Sequence, residues 1–337
     1  MKVLSVIIVS YKGYKRLKQC LDAISLFSGE KLKTEVIVVN NCPGDDEFNN
    51  LMKNYPVFHP VENTQNGGYG NGCNLGASIA NGEFILILNP DTIVTGQAIT
   101  KLVDFIEFSP PSIKAASCKQ VTETGKESIA YGAFPGFKSL NGVMRKIFAT
   151  GDKNRMKHKE GYPSDLFFPD WVSGSAILMR KDEFNKLNGF DEDFWMYCED
   201  VDLCRRIRNA GGDIAFCSNI TIEHNHGGSS RINPITASIT KTEVFISKHL
   251  YISKHTSGCK KTLLQIFLIL NNILSLVPVA AAGLLFFFVP KLFLRVRILS
   301  NLIVYYAGCL KRGSWVSTRS VNFGCKSIKL AEKIKIF

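Results

Sequence analysis

Asn89, Pro90 and Asp91 form the segment best suited to holding a metal ion. They close an apolar stretch that begins at residue 83, so Asp91 stands at the tip of a predicted buried strand, next to a stiff proline. A carboxylate fixed in this way is a hard ligand. Mg²⁺ or Mn²⁺ bridged to a diphosphate needs only one or two of them, because substrate oxygens and water complete the coordination. A turn or a helix N-cap is the alternative interpretation of an Asp after Pro.

A run of acids is the second candidate. It is interleaved with aromatic residues, and its members are Asp191, Asp193, Glu199, Asp200 and Asp202. Such a run is usually a solvated surface, but solvated surfaces seldom carry Phe, Trp and Tyr between the acids. Carboxylates held among aromatics lose water, which raises their pKa toward the working pH of a general base. We predict that Glu199 or Asp200 deprotonates a hydroxyl, while the other caps the following helix.

Glycines are concentrated in the run NGGYGNGCNLG, from Asn66 to Gly76. No window of it matches the dinucleotide-binding GxGxxG spacing after a strand, and the chain has no GxxxxGK[ST] motif, which argues against a P-loop ATPase. Glycines before a helix let the backbone approach a ligand and leave amides for phosphate contacts. A flexible turn is the alternative.

Two histidines, His224 and His226, follow the last predicted strand. Residues two apart at a strand end point the same way, so this pair is able to bind metal or phosphate. A histidine pair by itself is more often structural. The metal interpretation therefore depends on convergence with Asp91 and the acids.

The elements that must position these residues alternate between strand and helix. Strands are predicted at 4–10, 34–41 and 83–92, with helices at 14–27 and 102–108. Strands with this apolar pattern are buried on both faces of a parallel sheet, and ligands bind beyond their carboxyl ends. The polar residues at those ends are Ser10, Tyr11, Asn40, Asn41, Asn89 and Asp91. The pattern thus predicts an α/β fold with a polar edge.

Residues 116–170 lack a clear period, and regular structure resumes after them. A strand is predicted at 176–179, a helix from Lys181, a helix at 202–209 and a last strand at 214–216.

Charge is distributed unevenly along the 337 residues. The formal net charge is +12, yet the region from Lys241 onward holds 15 Lys and Arg against two acids, which leaves −1 for the rest of the chain. A nucleic-acid binder needs phosphate contacts on its folded body, so this split argues against nucleic acid as the partner.

The basic region also contains an uncharged apolar run, residues 262–290. It exceeds the roughly 20 residues that cross a bilayer core, but Asn271, Asn272 and Pro278 interrupt it. Basic flanks on both sides leave two interpretations open, a spanning helix and a re-entrant hairpin with both ends in the cytosol. A second apolar stretch at 298–310 is suited to the membrane interface. A buried core hairpin is the alternative to membrane association.

Cysteine usage and the first residues indicate a cytosolic main body. Ten scattered cysteines include no CxxC pair and no zinc spacing, so we expect reduced thiols. The opening apolar run has no cleavage site and is predicted to be a first strand and not a signal peptide.

Six segments in order resemble family 2 glycosyltransferases of GT-A fold, most closely the rhamnosyltransferase-like branch that builds bacterial surface polysaccharides. They are SVIIVSYKG, VIVVNN, NGGYGNGCNLG, FILILNPDT, WVSGSAILMR and GFDEDFWMYCEDVDLCRRIRNAGG. The resemblance covers residues 3–230. It implies an inverting enzyme in which an acceptor hydroxyl attacks a nucleotide-diphosphate sugar, with Mg²⁺ or Mn²⁺ at the diphosphate.

The resemblance also implies roles for single residues. Asp91 matches the second carboxylate of a DxD motif and Asn89 the first, Asp200 matches the general base with Glu199 beside it, and His224 completes metal or diphosphate binding, with His226 as a substitute. The donor pocket is predicted to comprise Ser10, Tyr11, Asn40, Asn66, Gly68, Asn74, Asn89 and Asp91. The acceptor side is predicted to comprise Trp171, Ser173, Gly174, Trp195 and Asp202.

The resemblance implies that residues 1–115 bind the donor and that residues 116–240 bind the acceptor and carry the catalytic residues. The charge and the apolar runs described above predict that residues 241–337 form a helical, basic, membrane-associated region. The expected acceptor is a lipid-linked saccharide at the cytoplasmic face of the plasma membrane, and the favoured donor is dTDP-rhamnose.

Three features of the sequence bear on the family pattern. The second strand usually ends in an Asp that binds the base or ribose, whereas here it ends in Asn40 and Asn41, which leaves the base preference open. Cys73 stands where a second Asn is common. The QxxRW motif of processive synthases is absent, so one sugar per visit is expected.

Two other functions remain in competition. A metal-dependent nucleotidyltransferase shares the alternating sheet, but normally opens with a glycine- and lysine-rich phosphate loop that is absent here. A catalytically silent carbohydrate-binding protein is suggested by Asn40 and Asn89 in place of acids.

Overall fold

The structure is a computed structural model that describes residues 2–27, 32–140, 158–225 and 232–323. Strands β1 to β12 span Lys2–Ser10, Leu32–Asn40, His59–Glu62, Phe84–Leu88, Thr92–Ile93, Ile113–Val121, Glu127–Ser128, Tyr131–Gly132, Leu166–Phe167, Trp171–Val172, Ala176–Arg180 and Asp213–His224. Helices α1 to α10 span Tyr14–Ser25, Asp46–Met52, Tyr69–Ile79, Gly96–Phe108, Phe137–Leu140, Lys181–Lys186, Glu199–Asn209, Pro234–His255, Gly258–Leu285 and Pro290–Arg312.

One sheet organises the amino-terminal two thirds of the chain. Its strand order is β3-β2-β1-β4-β11-β6-β12-β5, with β7 paired to β6 and β9 to β12. Strands β1 to β4 are parallel, as is β12 with β6, whereas β11 runs antiparallel between β4 and β6. The predicted mostly parallel α/β sheet is therefore confirmed. The antiparallel β11 was not anticipated from its apolar pattern.

The apolar strands are continuous because both faces of the sheet are covered. Ile8 of β1 belongs to the core on one face and Ile7 to the core on the other, and both are fully buried. Alternate residues of a strand point to opposite faces, so a strand buried on both sides reads as an unbroken apolar run.

The register of β1 to β3 aligns three polar strand ends. Ser10 pairs with Asn40, and Asn40 pairs with Glu62, so these residues lie side by side at the carboxyl edge. The predicted edge is confirmed, with Glu62 as an additional member.

The predicted strand 83–92 is interrupted where Pro90 prevents ladder pairing. Strand β4 ends at Leu88, the next three residues turn, and β5 then pairs with β12 so that Thr92 lies opposite His224. The two-residue strand β5 thus brings turn residues 89–91 close to the end of β12.

The described residues divide into two compact units. The first comprises the described parts of Met1–Phe134, Asp152–Asp191 and Glu199–Ser229, and it contains the sheet. The second comprises the described parts of Pro135–Gly151, Glu192–Cys198 and Ser230–Phe337. The predicted boundary between 115 and 116 runs through β6, and the one between 240 and 241 runs through α8.

Helices α8 to α10 make up most of the second unit. Asn271, Asn272 and Pro278 lie inside α9 without ending it, and the Asn272 amide donates to the Tyr306 hydroxyl of α10 at 2.9 Å. By length and composition, α9 and α10 are both able to cross a membrane.

Candidate active site

Asp91 and His224 meet at the edge of the sheet. Asp91 Oδ1 lies 3.2 Å from His224 Nε2, and both side chains are largely withdrawn from solvent. The backbone amide of Asn225 donates to the Asp91 carbonyl at 2.9 Å, which continues the β5–β12 pairing past the strand end. Asn89 Nδ2 is 3.4 Å from the same imidazole nitrogen. The structure therefore brings the Asn-Pro-Asp segment together with the first histidine after the last predicted strand.

Gln120 of β6 orients the imidazole of His224. Its Oε1 lies 2.9 Å from His224 Nδ1 and accepts the Ser175 hydroxyl proton at 2.9 Å. With Nδ1 facing Gln120, Nε2 faces Asp91. Sequence analysis missed Gln120, because nothing in its neighbourhood distinguishes it from any other residue of a buried strand.

The donor set at this edge fits a divalent cation bound together with a diphosphate. A carboxylate oxygen and an imidazole nitrogen suit Mn²⁺ and are acceptable to Mg²⁺. No group of three His, Cys, Asp or Glu that could hold a metal lies among the described residues, and Asp91 with His224 makes two candidate ligands there. His226 lies outside the described residues, and its predicted role stays a prediction.

Asp200 is held by backbone amides at the start of α7. Its Oδ2 accepts from the Gly174 amide at 2.8 Å, and its Oδ1 accepts from the Val201 amide at 2.8 Å. Burial raises the pKa of this carboxyl, and the amide donors partly oppose that rise because they favour the charged form.

Glu199 is the more buried member of the pair. Its Oε2 has no hydrogen-bond partner, and burial, followed by the charge of Asp200, raises the pKa of Glu199 well above its usual value. Two adjacent buried carboxyls do not both ionise readily. Since the amides stabilise Asp200, we assign the negative charge to Asp200 and the proton to Glu199.

A single short segment joins the metal end to the carboxylate pair. The Gly174 amide donates to Asp200. The next residue, Ser175, donates from its hydroxyl to Gln120, and its carbonyl accepts from the Asn89 amide at 3.0 Å. Two hydrogen bonds, one from Gly174 to Asp200 and one from Ser175 to Gln120, thus connect Asp200 with the residue that orients His224, all within the first unit. The spacing of the motifs in sequence does not reveal this link.

The glycine-rich run begins α3, and its glycines are required for packing. A Cβ at Gly72 would lie 2.6 Å from Val9, and one at Gly70 would lie 3.0 Å from Phe190. The Tyr69 hydroxyl donates to the Gly174 carbonyl at 2.8 Å. The run therefore docks α3 against β1 and against the segments around Asp200.

Asparagines tie this run to the sheet edge. Asn41 Nδ2 donates to the Gly68 carbonyl at 2.8 Å and lies 3.4 Å from Asn66 Oδ1, while Asn63 donates to Asn41 at 2.7 Å and to Asn71 at 2.9 Å. A donor-pocket role for Asn66 and Gly68 stays a prediction.

Asn74 is also predicted for the donor pocket. It exchanges two hydrogen bonds with the backbone of Phe190, and its pocket role stays a prediction.

Asn40 has no exposed surface in this structure. Its Nδ2 donates to Glu62 Oε2 at 3.0 Å, and its Oδ1 accepts from the Cys42 amide at 3.0 Å. The predicted contact of Asn40 with a nucleoside would require this amide to leave its partners. Ser10 is equally buried, whereas Tyr11 is partly exposed at the same edge.

The predicted acceptor-side residues have different environments. Trp171 donates from its indole to the Ala133 carbonyl at 2.9 Å, and the Ser173 hydroxyl lies 2.9 Å from that of Ser175. Asp202 is 1% exposed and pairs with Arg206 at 2.8 Å within α7, and its acceptor-side role stays a prediction.

Trp195 belongs to the second unit and is buried there, with the Arg319 guanidinium 5.9 Å from its ring. A packed indole does not offer a surface to an acceptor. Its acceptor-side assignment stays a prediction that this conformation does not favour.

Sequence comparisons identify the family. The sequence model of glycosyl transferase family 2 matches residues 5–182, and a model described as the N-terminal domain of galactosyltransferase matches residues 164–226. The rhamnosyltransferase WbbL of Escherichia coli (strain K12) is 30% identical over 132 residues, which are 39% of this chain and 48% of WbbL. This chain thus spans about half the length of that relative.

Another relative is matched over a longer stretch. The N-acetylglucosaminyl-diphospho-decaprenol L-rhamnosyltransferase of Mycobacterium tuberculosis (strain ATCC 25618 / H37Rv) is 24% identical over 73% of this chain and 84% of its own. Among solved structures, the mannosyltransferase PcManGT from Pyrobaculum calidifontis, in complex with GDP-Man and Mn²⁺, has a TM-score of 0.52 at 13% identity, over 89% of this chain and 86% of its own. The predicted GT-A fold is confirmed.

Proposed function

The chain belongs to glycosyl transferase family 2, and we propose that it is an inverting, metal-dependent enzyme that adds one sugar per visit to a lipid-linked saccharide. The observation that carries this proposal is the Gly174–Ser175 link. It joins a carboxylate suited to accept a proton, that of Asp200, to the Asp91–His224 pair suited to a metal diphosphate.

Asp91 and His224 would hold the metal, with Gln120 fixing the imidazole. When bound, a divalent cation stabilises the negative charge that develops on the diphosphate as the glycosyl–phosphate bond breaks. Asn89, whose Nδ2 lies 3.4 Å from His224 Nε2, would add an amide donor beside the metal ligands without adding charge.

Asp200 would act as the general base. The carboxylate accepts the proton of the acceptor hydroxyl while that oxygen attacks the anomeric carbon, and attack from the face opposite the leaving diphosphate inverts the configuration. Its raised pKa makes it a better base than an ordinary aspartate, and the Gly174 and Val201 amides hold it in place. Glu199, buried and protonated, keeps a second negative charge away from the reaction.

The names of the relatives support rhamnose as the sugar and a diphospholipid as the acceptor carrier. We therefore propose a dTDP-rhamnose donor and an N-acetylglucosaminyl diphospholipid acceptor, used in surface polysaccharide synthesis at the cytoplasmic face of the plasma membrane.

Exposed apolar surface on the last two helices supports attachment to that membrane. One face of α9 packs through Leu264, Leu268 and Leu276, and from Thr262 to its end the helix carries no charged residue. The most exposed large apolar residues of α9 and of the turn after it are Leu263, Leu270, Leu274, Leu284, Leu285, Phe286, Phe287 and Phe288. A helix facing water carries polar residues on its outer face, so lipid is the fitting cover here. The basic flanks suit anionic headgroups.

The transfer proposal is tested with purified full-length protein, dTDP-rhamnose, Mn²⁺ and a short-chain N-acetylglucosaminyl diphospholipid. We expect a rhamnosyl product with inverted anomeric configuration, and its loss with a chelator. Release of pyrophosphate from nucleoside triphosphate and sugar phosphate would support a nucleotidyltransferase instead. Donor binding without transfer or hydrolysis would support a silent binding protein.

The membrane proposal is tested by flotation with phosphatidylglycerol-containing vesicles. We expect the wild-type chain to float and a variant with Phe286, Phe287 and Phe288 all changed to Ser to float poorly. Equal flotation of the two proteins would contradict attachment through the three phenylalanines.

A further inference from the structure

The loop Glu192–Cys198, which leads into the catalytic pair, is a member of the second unit. Its Asp193 is buried and pairs through Oδ2 with Lys254 of α8 at 2.6 Å. Its Oδ1 accepts from Asn322 Nδ2 at 3.1 Å. The carboxyl-terminal region therefore engages both oxygens of this acid.

Two serines from the same region hold the backbone of the loop. The Ser247 hydroxyl donates to the Met196 carbonyl at 2.6 Å, and the Ser320 hydroxyl donates to the Glu192 carbonyl at 2.8 Å. Contacts of this kind fix the path of the chain and not just its side chains.

The segment that provides these contacts is anchored in turn. Glu243 of α8 has no exposed surface, accepts from the Ser317 hydroxyl at 2.8 Å and pairs with Arg319 at 3.2 Å. The Arg319 guanidinium also lies over the Trp195 ring. Arg319 thus connects the loop, through one side chain, to a buried acid of α8.

The loop ends in two consecutive residues with left-handed backbones, Tyr197 at φ 68° and Cys198 at φ 63°. Side-chain-bearing residues seldom adopt this region, and they stay there only when the surrounding structure holds them. Glu199 and Asp200 follow immediately, so the direction in which the chain enters α7 depends on how firmly the loop is held.

We propose that the contacts of the carboxyl-terminal region with the loop Glu192–Cys198 position the catalytic pair that follows the loop in the chain, with Lys254 and Arg319 as positioning residues for sugar transfer. This rests on the proposed role of Asp200 as base. The region proposed to contact lipid then has a second function, because it also holds the loop that leads into the base. Relaxing the loop lowers turnover, because displacing a base by about 1 Å costs up to roughly a hundredfold in rate.

The test compares Lys254→Met with Lys254→Arg and with a matched control, Lys311→Met, whose exposed lysine is at the end of α10. Amide hydrogen exchange reports on residues 193–204 without substrate. Turnover on dTDP-rhamnose and a short-chain acceptor, with donor affinity from calorimetry, reports on function. Asn322→Ala is a milder variant should Lys254→Met fold poorly.

We expect Lys254→Met to exchange faster in residues 193–204 and to lose between about tenfold and a hundredfold in kcat, with donor affinity unchanged. We expect Lys254→Arg to recover most of the turnover and Lys311→Met to match the wild type. Unchanged exchange, or faster exchange with unchanged kcat, would overturn the proposal. Wild-type inactivity on this substrate pair would count against the proposed substrates, while the exchange data would still decide whether Lys254 holds the loop.

Discussion

The centre of the acid-rich stretch, Glu199 and Asp200, is bonded differently from its two flanks, Asp193 and Asp202. Each flanking acid is almost fully buried and ion-paired, Asp193 with Lys254 and Asp202 with Arg206. The central pair forms no ion pair within the described residues.

The difference separates acids that hold the structure from acids available for chemistry. A counter-charge lowers the basicity of a carboxylate and occupies its oxygens, whereas backbone amides hold Asp200 without adding a full charge. Four acids that look alike in sequence thus have two kinds of environment, and we propose that the partner of each acid decides its function. Four substitutions test this division.

The largest effect is expected for Asp200→Asn. An amide of the same shape cannot accept the proton, so we expect transfer to fall by about 10²–10⁴-fold, the range for a lost general base. Calorimetry with the nucleotide sugar should give wild-type donor affinity. Wild-type turnover in this variant would refute the assignment of the base.

Asp202→Asn is expected to affect stability first. It leaves Arg206 without its buried carboxylate, although that guanidinium keeps the Leu187 and Gly189 carbonyls. We expect a loss of about 3 kcal/mol in the free energy of unfolding, measured in urea. The folded fraction should retain most of its turnover. A large fall in kcat with unchanged stability would place Asp202 among the reactive acids.

Asp91→Ala extends the comparison of acids and their partners to the edge of the sheet, where the Asp91 carboxylate lies beside the His224 imidazole. Removing one of two proposed metal ligands should weaken Mn²⁺-dependent donor binding by about 10–100-fold. Titrations with and without Mn²⁺ measure this. Identical affinities for wild type and variant under both conditions would argue against a metal at Asp91.

The smallest kinetic effect is expected for Glu199→Gln. If Glu199 is already protonated, its amide analogue should change kcat by less than about threefold. A carboxyl whose pKa is raised in the folded state costs stability as the pH rises through the interval between its unfolded and folded values. The variant should therefore be more stable than wild type at pH 8 and similar at pH 4. The reverse pH trend would mean that Glu199 is the charged member.

The sequence predicted the sheet and its polar edge well, because both depend on local patterns. An apolar run such as residues 4–10 is typical of a strand buried on both faces of a sheet that helices cover. The position of Asp91 just after a strand could be predicted because Pro90 ends that strand. The convergence of Asp91 with His224 was also foreseen, from residue types and from the family resemblance.

The rest depends on pairings that are distant in sequence. Gln120 of β6 orients His224 of the paired strand β12. The hydroxyl of Ser175, the residue just before β11, donates to Gln120. Asp193 and Asp202 look like catalytic candidates until their cations are known, and Lys254 lies 61 positions after Asp193. Composition and spacing hold no information on such partners.

The bond between Asn40 and Glu62 has a consequence for what position 40 tolerates. An aspartate there would set its carboxylate about 3 Å from that of Glu62, an unfavourable contact although the Glu62 side chain is exposed to water. We therefore expect Asn40→Asp to be tolerated better together with Glu62→Gln than alone, which the free energies of unfolding of the three variants would measure.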